Sequence, residues 1–309
     1  MTVCVAAICD YHTIIAASDR MLTAGDVQFE PQQSKVVTLS SSIAAMTAGD
    51  SGMQAEIFQY VRAEVTRRIE AEPNNWWAIR DVADLYSQYC GRVRLKRAEG
   101  SILAPLGLTA ETFISRQQQL APALVNQIAT ELINFVAPGV SAIIAGVDGT
   151  GAHIYVAENA TITCHDSVGF AAIGAGYWHA DSQLMFAGHT RARPLPETLL
   201  LTYSAKKRAE VAPGVGEGTD MFMVGPGLGS YAPIGEHVLK KLEEIYRATQ
   251  RAIGKAEQKA QKSVNTYVQE ITAASTPKEQ TAAPPDSGGD APSNQEDVGA
   301  TPPNGESGT

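Results

Sequence analysis

Thr2 pairs a hydroxyl with a position directly behind Met1. Thr is small enough for methionine aminopeptidase to remove Met1, so the mature chain is expected to begin with a free Thr. Its own α-amine, titrating at about pH 8, is then a base next to the nucleophile. Three further residues supply what an acyl-transfer site needs. Lys35 opens a strand-like run, and beside a terminal Thr its charge would favour the neutral amine and the developing alkoxide. Asp19 ends another such run and would keep that lysine charged and fixed. Gly49 stands between a strand and a helix N-terminus, where a backbone N–H can donate to an oxyanion. Taken singly, each residue has an ordinary structural use; their order and spacing make the case.

The elements that must position them follow in order. Residues 2–9 (TVCVAAIC) and 13–18 (TIIAAS) are short runs of small and β-branched residues joined by Asp10-Tyr11-His12, which predicts a buried hairpin. A loop containing Gly25 and Pro31 follows, then strands at 34–39 and 42–47. Asp50 or Ser51 caps a helix whose apolar face carries Met53, Ile57, Phe58, Val61, Val65 and Ile69. From Trp76 to about Phe135 the pattern is helical, broken near Gly100, Pro105 and Gly107; Trp76-Trp77 reads as packing. The basic cluster of Arg92, Arg94, Lys96 and Arg97 reads as a solvated helix end. Strands are predicted at 141–147, 152–156, 161–164 and 170–173, with Asp148-Gly149-Thr150-Gly151 as a hairpin turn. Helices follow at 177–187 and 194–211, a strand at 220–224, and a long helix from Ile234 to about Thr272 with a stripe of Val238, Leu242, Ile245, Thr249 and Ile253. The order of strands, helices, strands, helices fits an α+β fold with αββα layering better than βαβ units.

On these residues the N-terminal half resembles a proteasome β subunit and its bacterial relatives HslV and Anbu. The segments that carry it are T-V-C-V-A-A-I-C, T-I-I-A-A-S-D-R, S-K-V-V-T-L and I-A-A-M-T-A-G-D, and later I-I-A-G-V-D-G-T-G-A-H-I-Y. The match covers residues 2–71 well and 138–225 moderately. It implies a four-layer N-terminal nucleophile (Ntn) hydrolase sandwich, taken to span 1–233; the helical insert at about 76–137, longer than the family's usual one, and the polar extension of the C-terminal helix at 234–274 are departures from it. It implies that Thr2 is the nucleophile, assisted by Asp19 and Lys35, with the Gly49 N–H as oxyanion donor. It implies a neutral side-chain pocket of Leu22, Gln33, Thr47 and Ser51. It further implies a threonine-type peptidase or amidohydrolase acting on peptides or small amides, with no cofactor or metal, assembled as a homo-oligomeric ring or spiral. An ATPase partner is not legible in the sequence. The sequence departs from the family at Gly174-Ala175-Gly176, where the family has a Ser, and in 212–220, where it often has an Asp and a Ser. Glu217, Thr219 and Asp220 are the candidates to stand in. These departures are what favours the alternative, an assembly or binding protein on the same fold with little turnover.

Bulk properties narrow the field. Of the net charge of −9, the tail from Ser275 carries −5, six acids against Lys278, leaving the body at −4 and arguing against a nucleic-acid surface. Rich in Pro, Gly and Ser and poor in large apolar side chains, that tail (275–309) is expected to be disordered. Four cysteines (Cys4, Cys9, Cys90, Cys164) without a CxxC pair suit a reducing, cytoplasmic setting. Neither a signal peptide nor a membrane span is expected. Gly174-x-Gly176 lacks the third glycine and the βαβ setting of a dinucleotide loop, and the six histidines show no metal-ligand spacing.

Overall fold

In the computed structural model the described residues are 2–24, 27–30, 34–73 and 75–275. Gln33 and the acidic tail beyond residue 275 lie outside them. The chain divides into two compact units, Met1–Arg251 and Ala252–Thr309.

The first unit opens with β1 (Cys4–Cys9) and β2 (Thr13–Asp19), joined by a turn in which Asp10 and Tyr11 adopt φ of 48° and 61°. Two successive left-handed residues give a hairpin turn whose twist matches the strands. Then come β3 (Leu22–Ala24), β4 (Val27–Phe29), β5 (Val36–Ser40) and β6 (Ile43–Gly49). Helices α1 (Ser51–Ala71), α2 (Ile79–Ala98), α3 (Ala110–Arg116) and α4 (Pro122–Ile133) follow, and then β7 (Val140–Asp148), β8 (Gly151–Glu158), β9 (Thr161–Cys164) and β10 (Phe170–Ile173). The chain ends with α5 (Tyr177–Phe186), α6 (Leu195–Ala209), β11 (Thr219–Val224), β12 (Tyr231–Pro233) and α7 (Glu236–Ser275). The predicted strands and helices lie within a few residues of these bounds. The β3–β4 hairpin and β12 went unpredicted, because three-residue strands carry too few positions for alternation to register.

The fold is mixed α and β, with seven α-helices among the described residues and two antiparallel five-stranded sheets, β10-β1-β2-β11-β12 and β5-β6-β7-β8-β9. Residue alternation along β1 explains its unbroken apolar run. Cys4, Ala6 and Ile8 join Met46, Ile143 and Ile154 of the other sheet in one core, while Val3, Val5, Ala7 and Cys9 face Ala180 of α5, Leu201 and Ala205 of α6 and Leu242 of α7. A strand covered on both faces needs no polar positions. The second sheet packs its outer face on α1 and α2 through Ile57, Val61, Val82 and Tyr86. Helices α3 and α4 close a small cluster of Leu103, Phe113 and Ile128.

Helical stripes stay buried only where a facing element exists. Ile69, on the predicted face of α1, is 37% exposed, and in α7 Ile245 is 40% exposed although Leu242 is buried. Of the Trp76-Trp77 pair, Trp77 packs against the α1–α2 core with the Arg68 guanidinium 4.2 Å over its ring, whereas Trp76 is half exposed. The cluster at the end of α2 is solvated as expected, with Lys96 on Glu56 at 2.8 Å and Arg97 near Asp50 at 3.6 Å. Of the second unit, the described part is helical, and Val264, Tyr267 and Val268 are each more than half exposed. Among the described residues no helix is long and apolar enough to cross a membrane.

Candidate active site

Thr2 lies two residues before β1. The register Cys4↔Ser18 carries Val3 alongside Asp19, whose backbone N–H donates to the Val3 carbonyl at 3.1 Å. The Val3 N–H returns a bond to Asp19 Oδ1 at 2.9 Å. The Asp19 side chain therefore sits next to the Thr2 end of the chain. On the other side, Gly174 and Gly176 wrap the Thr2 carbonyl. The Gly176 N–H donates to it at 3.2 Å, and a Cβ on Gly174 (φ 88°) would stand 2.3 Å from its oxygen.

Lys35, just before β5, links the two functional groups. Its ammonium donates to Thr2 Oγ1 and, at 2.7 Å, to Asp19 Oδ1. Burying an ammonium and a carboxylate is costly unless they pair and their remaining hydrogen-bonding capacity is met. Both conditions hold: Asp19 is fully buried and Lys35 nearly so, and Asp19 Oδ2 accepts from the Met21 N–H and the Gly216 N–H, each at 3.0 Å. Four donors, the Val3, Met21 and Gly216 N–H groups and the Lys35 ammonium, saturate the carboxylate.

Gly49 ends β6 with φ 96°, and a Cβ there would lie 2.2 Å from the Gly139 carbonyl oxygen, so no larger residue fits. Helix α1 starts two residues on, capped by Asp50 Oδ1, which accepts from the Met53 N–H at 2.7 Å. Gly49 lines a cavity of about 380 Å³ together with Thr2, Lys35 and three predicted pocket residues, Leu22, Thr47 and Ser51. Gln33, the fourth, lies outside the described residues. The sequence did not single out Met21, Phe29, Ala48 and Gln54, which also line it. Gln54 is held there on three sides: its amide donates to the Ala48 and Ser141 carbonyls at 3.0 and 2.9 Å and accepts from the Tyr86 hydroxyl at 3.0 Å. A second cavity of about 620 Å³ shares Leu22, Lys35, Thr47, Ser51 and Gln54 and continues to Phe58 and Arg62.

Two rivals fail on chemistry. Cys4 lies close to Lys35, but burial pushes its thiol far above the ordinary range, which removes the thiolate a nucleophile needs. A larger cleft of about 950 Å³ is lined by the ion pairs Arg20–Asp220 and Lys207–Glu243 and contains none of the four candidate residues.

Loop 212–220 behaves differently from expectation. Asp220 is taken by Arg20 at 2.6 Å, Thr219 bonds the Glu217 carbonyl at 3.3 Å, and neither they nor Glu217 line the Thr2 cavity. The loop reaches the site through its backbone instead, by the Gly216 N–H on Asp19. No side-chain signal marks such a contact in a sequence. At Ala175 there is no hydroxyl to meet the Thr2 nitrogen. Among the described residues no group of three or more His, Cys, Asp or Glu side chains is arranged to hold a metal ion.

No protein-family model matches the chain, and no curated protein matches it in sequence.

Proposed function

We propose that the chain is an N-terminal nucleophile hydrolase of the proteasome β-subunit, HslV and Anbu kind, a threonine-type peptidase or amidohydrolase. The observation that carries this reading is the contact of Lys35 with both Thr2 Oγ1 and Asp19 in a buried corner that opens on a cavity. The layering of helices on the outer faces of two sheets that share a core agrees with it.

In this reading Met1 is removed and the Thr2 α-amine takes the hydroxyl proton. The Lys35 ammonium holds the amine neutral and steadies the alkoxide, which adds to the substrate carbonyl. The oxyanion forms beside Gly49. Collapse breaks the C–N bond, the departing amine takes the proton, and a Thr2 ester remains. Water, deprotonated by the same α-amine, adds to that ester and releases the acid, regenerating the hydroxyl. The Leu22, Thr47, Ser51 and Gln54 lining suits a neutral side chain. The reading carries a homo-oligomeric ring or spiral with it.

A second reading, a weakly active or inactive assembly protein, is favoured by one observation: no side-chain hydroxyl or carboxylate of 174–176 or 212–220 lines the Thr2 cavity. Intact mass of the purified protein and hydrolysis of fluorogenic peptides by wild type and Thr2→Ala decide between them. Loss of Met1 with Thr2-dependent turnover supports the hydrolase. Retained Met1 with turnover that ignores Thr2 sinks it.

A further inference from the structure

Lys206 in α6 is fully buried, and with Lys35 it is one of two buried lysines among the described residues. Its ammonium has three donors, and all three are used: on Glu210 Oε1 at 2.6 Å, on the Gly216 carbonyl at 2.9 Å and on the Glu217 carbonyl at 2.9 Å. The same loop turns its other polar edge the opposite way, with the Gly216 N–H on Asp19 Oδ2. The 216–217 backbone is thus strung between a carboxylate on its donor side and an ammonium on its acceptor side. Charged partners on both sides make these hydrogen bonds stronger than neutral ones and fix the peptide planes. An apolar side chain at 206 would fill the space without orienting either carbonyl. Burial draws the Lys206 pKa down, and the Glu210 contact opposes it.

We infer that Lys206 is a positioning residue for the Thr2 site: by holding the Gly216–Glu217 backbone it keeps the Gly216 N–H on Asp19, and through Asp19 and Lys35 it sets the placement of the Thr2 hydroxyl. This deepens the proposed hydrolase reading and rests on it. It also explains how a loop without an inward-facing acid or hydroxyl still serves the site. Lys206 touches neither Thr2 nor the cavity, so its effect falls on the reacting geometry rather than on substrate affinity.

The test is Lys206→Met in the full chain, read two ways. Misplacement of a reacting group by a fraction of an ångström lowers turnover steeply, so kcat is expected to fall on the order of 10–100-fold. KM should stay within about twofold, the split that separates positioning from a damaged pocket. Amide hydrogen exchange should quicken on the order of tenfold at 213–218 and at Val3, with β6 and β7 unchanged. An unchanged kcat with unchanged exchange overturns the assignment, and so does a rise in KM at constant kcat. Where Lys206→Met does not fold, Lys206→Gln, which keeps N–H donors on a shorter reach, is held to the same outcomes. If wild type shows no Thr2-dependent turnover, the hydrolase reading falls by itself. Exchange then decides for Lys206: faster at both 213–218 and Val3 upholds its hold on Asp19, unchanged overturns it.

Discussion

Among the described residues, two clusters join a threonine hydroxyl and a carboxylate through a nitrogen side chain, and they differ in their surroundings. In one, Lys35 bridges Thr2 and Asp19. In the other, on the β7–β8 hairpin, His153 bridges Thr150 Oγ1 and Asp166 Oδ2, each at 2.6 Å. By atom types the second is the closer likeness of a hydrolase triad. Yet the Thr150 hydroxyl also donates to Asp148 Oδ1 at 2.7 Å, and Asp148 accepts from the Thr150 N–H and, at 3.0 Å, from the Ile79 N–H. That hydroxyl proton is held by a carboxylate at an exposed turn, and the cluster ties the turn to the start of α2. The Thr2 hydroxyl instead accepts from a cation and borders a cavity that can receive a carbonyl group. A triad is made by where its nucleophile's proton can go and what space lies beside it, more than by the spacing of three side chains.

The comparison breaks most sharply at the two threonines. Thr2→Ala is expected to lower peptide or amide hydrolysis by on the order of a thousandfold or more. Thr150→Val should leave it within about twofold, measured on the same fluorogenic substrates. Equal losses from both would erase the distinction. The bridging nitrogen side chains come next. Lys35→Met is predicted to lower kcat by on the order of 100-fold or more. Because it strands a fully buried carboxylate, it should also cost about 3 kcal/mol in urea unfolding. His153→Ala should cost roughly 1 kcal/mol in the same unfolding experiment with kcat unchanged, since its cluster is structural. A kcat effect there would mean that the hairpin relay takes part in the chemistry.

The smallest effect concerns a carboxylate unlike either Asp19 or Asp166. Asp181 Oδ1 is buried without a hydrogen-bond partner among the described residues, and burial pushes the Asp181 pKa from 3.8 to about 6. Because the folded state holds this proton more tightly than the unfolded chain, the contribution of Asp181 to stability is fully present below pH 3.8 and lost as the pH rises through about 6. Asp181→Asn should therefore flatten the fall in Tm across that window. A Tm–pH curve unchanged by Asp181→Asn would rule out the burial effect.

Much of the frame was legible before any coordinates. The apolar runs at 2–9 and 13–18 read as a hairpin through Asp10-Tyr11-His12 buried on at least one face, because both are short and dense in small and β-branched residues; that both faces are covered came from the packing of the second sheet and of α5, α6 and α7. The residues that close the site were less visible for specific reasons. Phe29 sits on a three-residue strand inside a stretch that reads as loop. Gln54 looks like a polar position on a helix whose stripe is drawn by Met53 and Ile57. Lys206 resembles the cations that ordinarily end a helix, next to Lys207 and Arg208. Gly216 contributes an amide that every non-proline residue possesses.

The order of the elements, the small and β-branched character of the first hairpin, and the presence of a hydroxyl, a lysine, an aspartate and a glycine at strand ends are properties of the sequence alone. They follow from periodicity and side-chain chemistry, which are local. Tertiary structure decided that Lys35 reaches Thr2 and Asp19 together, that Glu217, Thr219 and Asp220 turn elsewhere, and that the 212–220 loop meets Asp19 through the Gly216 amide. Those outcomes depend on the direction of hydrogen bonds and the exclusion of water between segments up to 200 positions apart. Neither is encoded in the spacing of any one stretch.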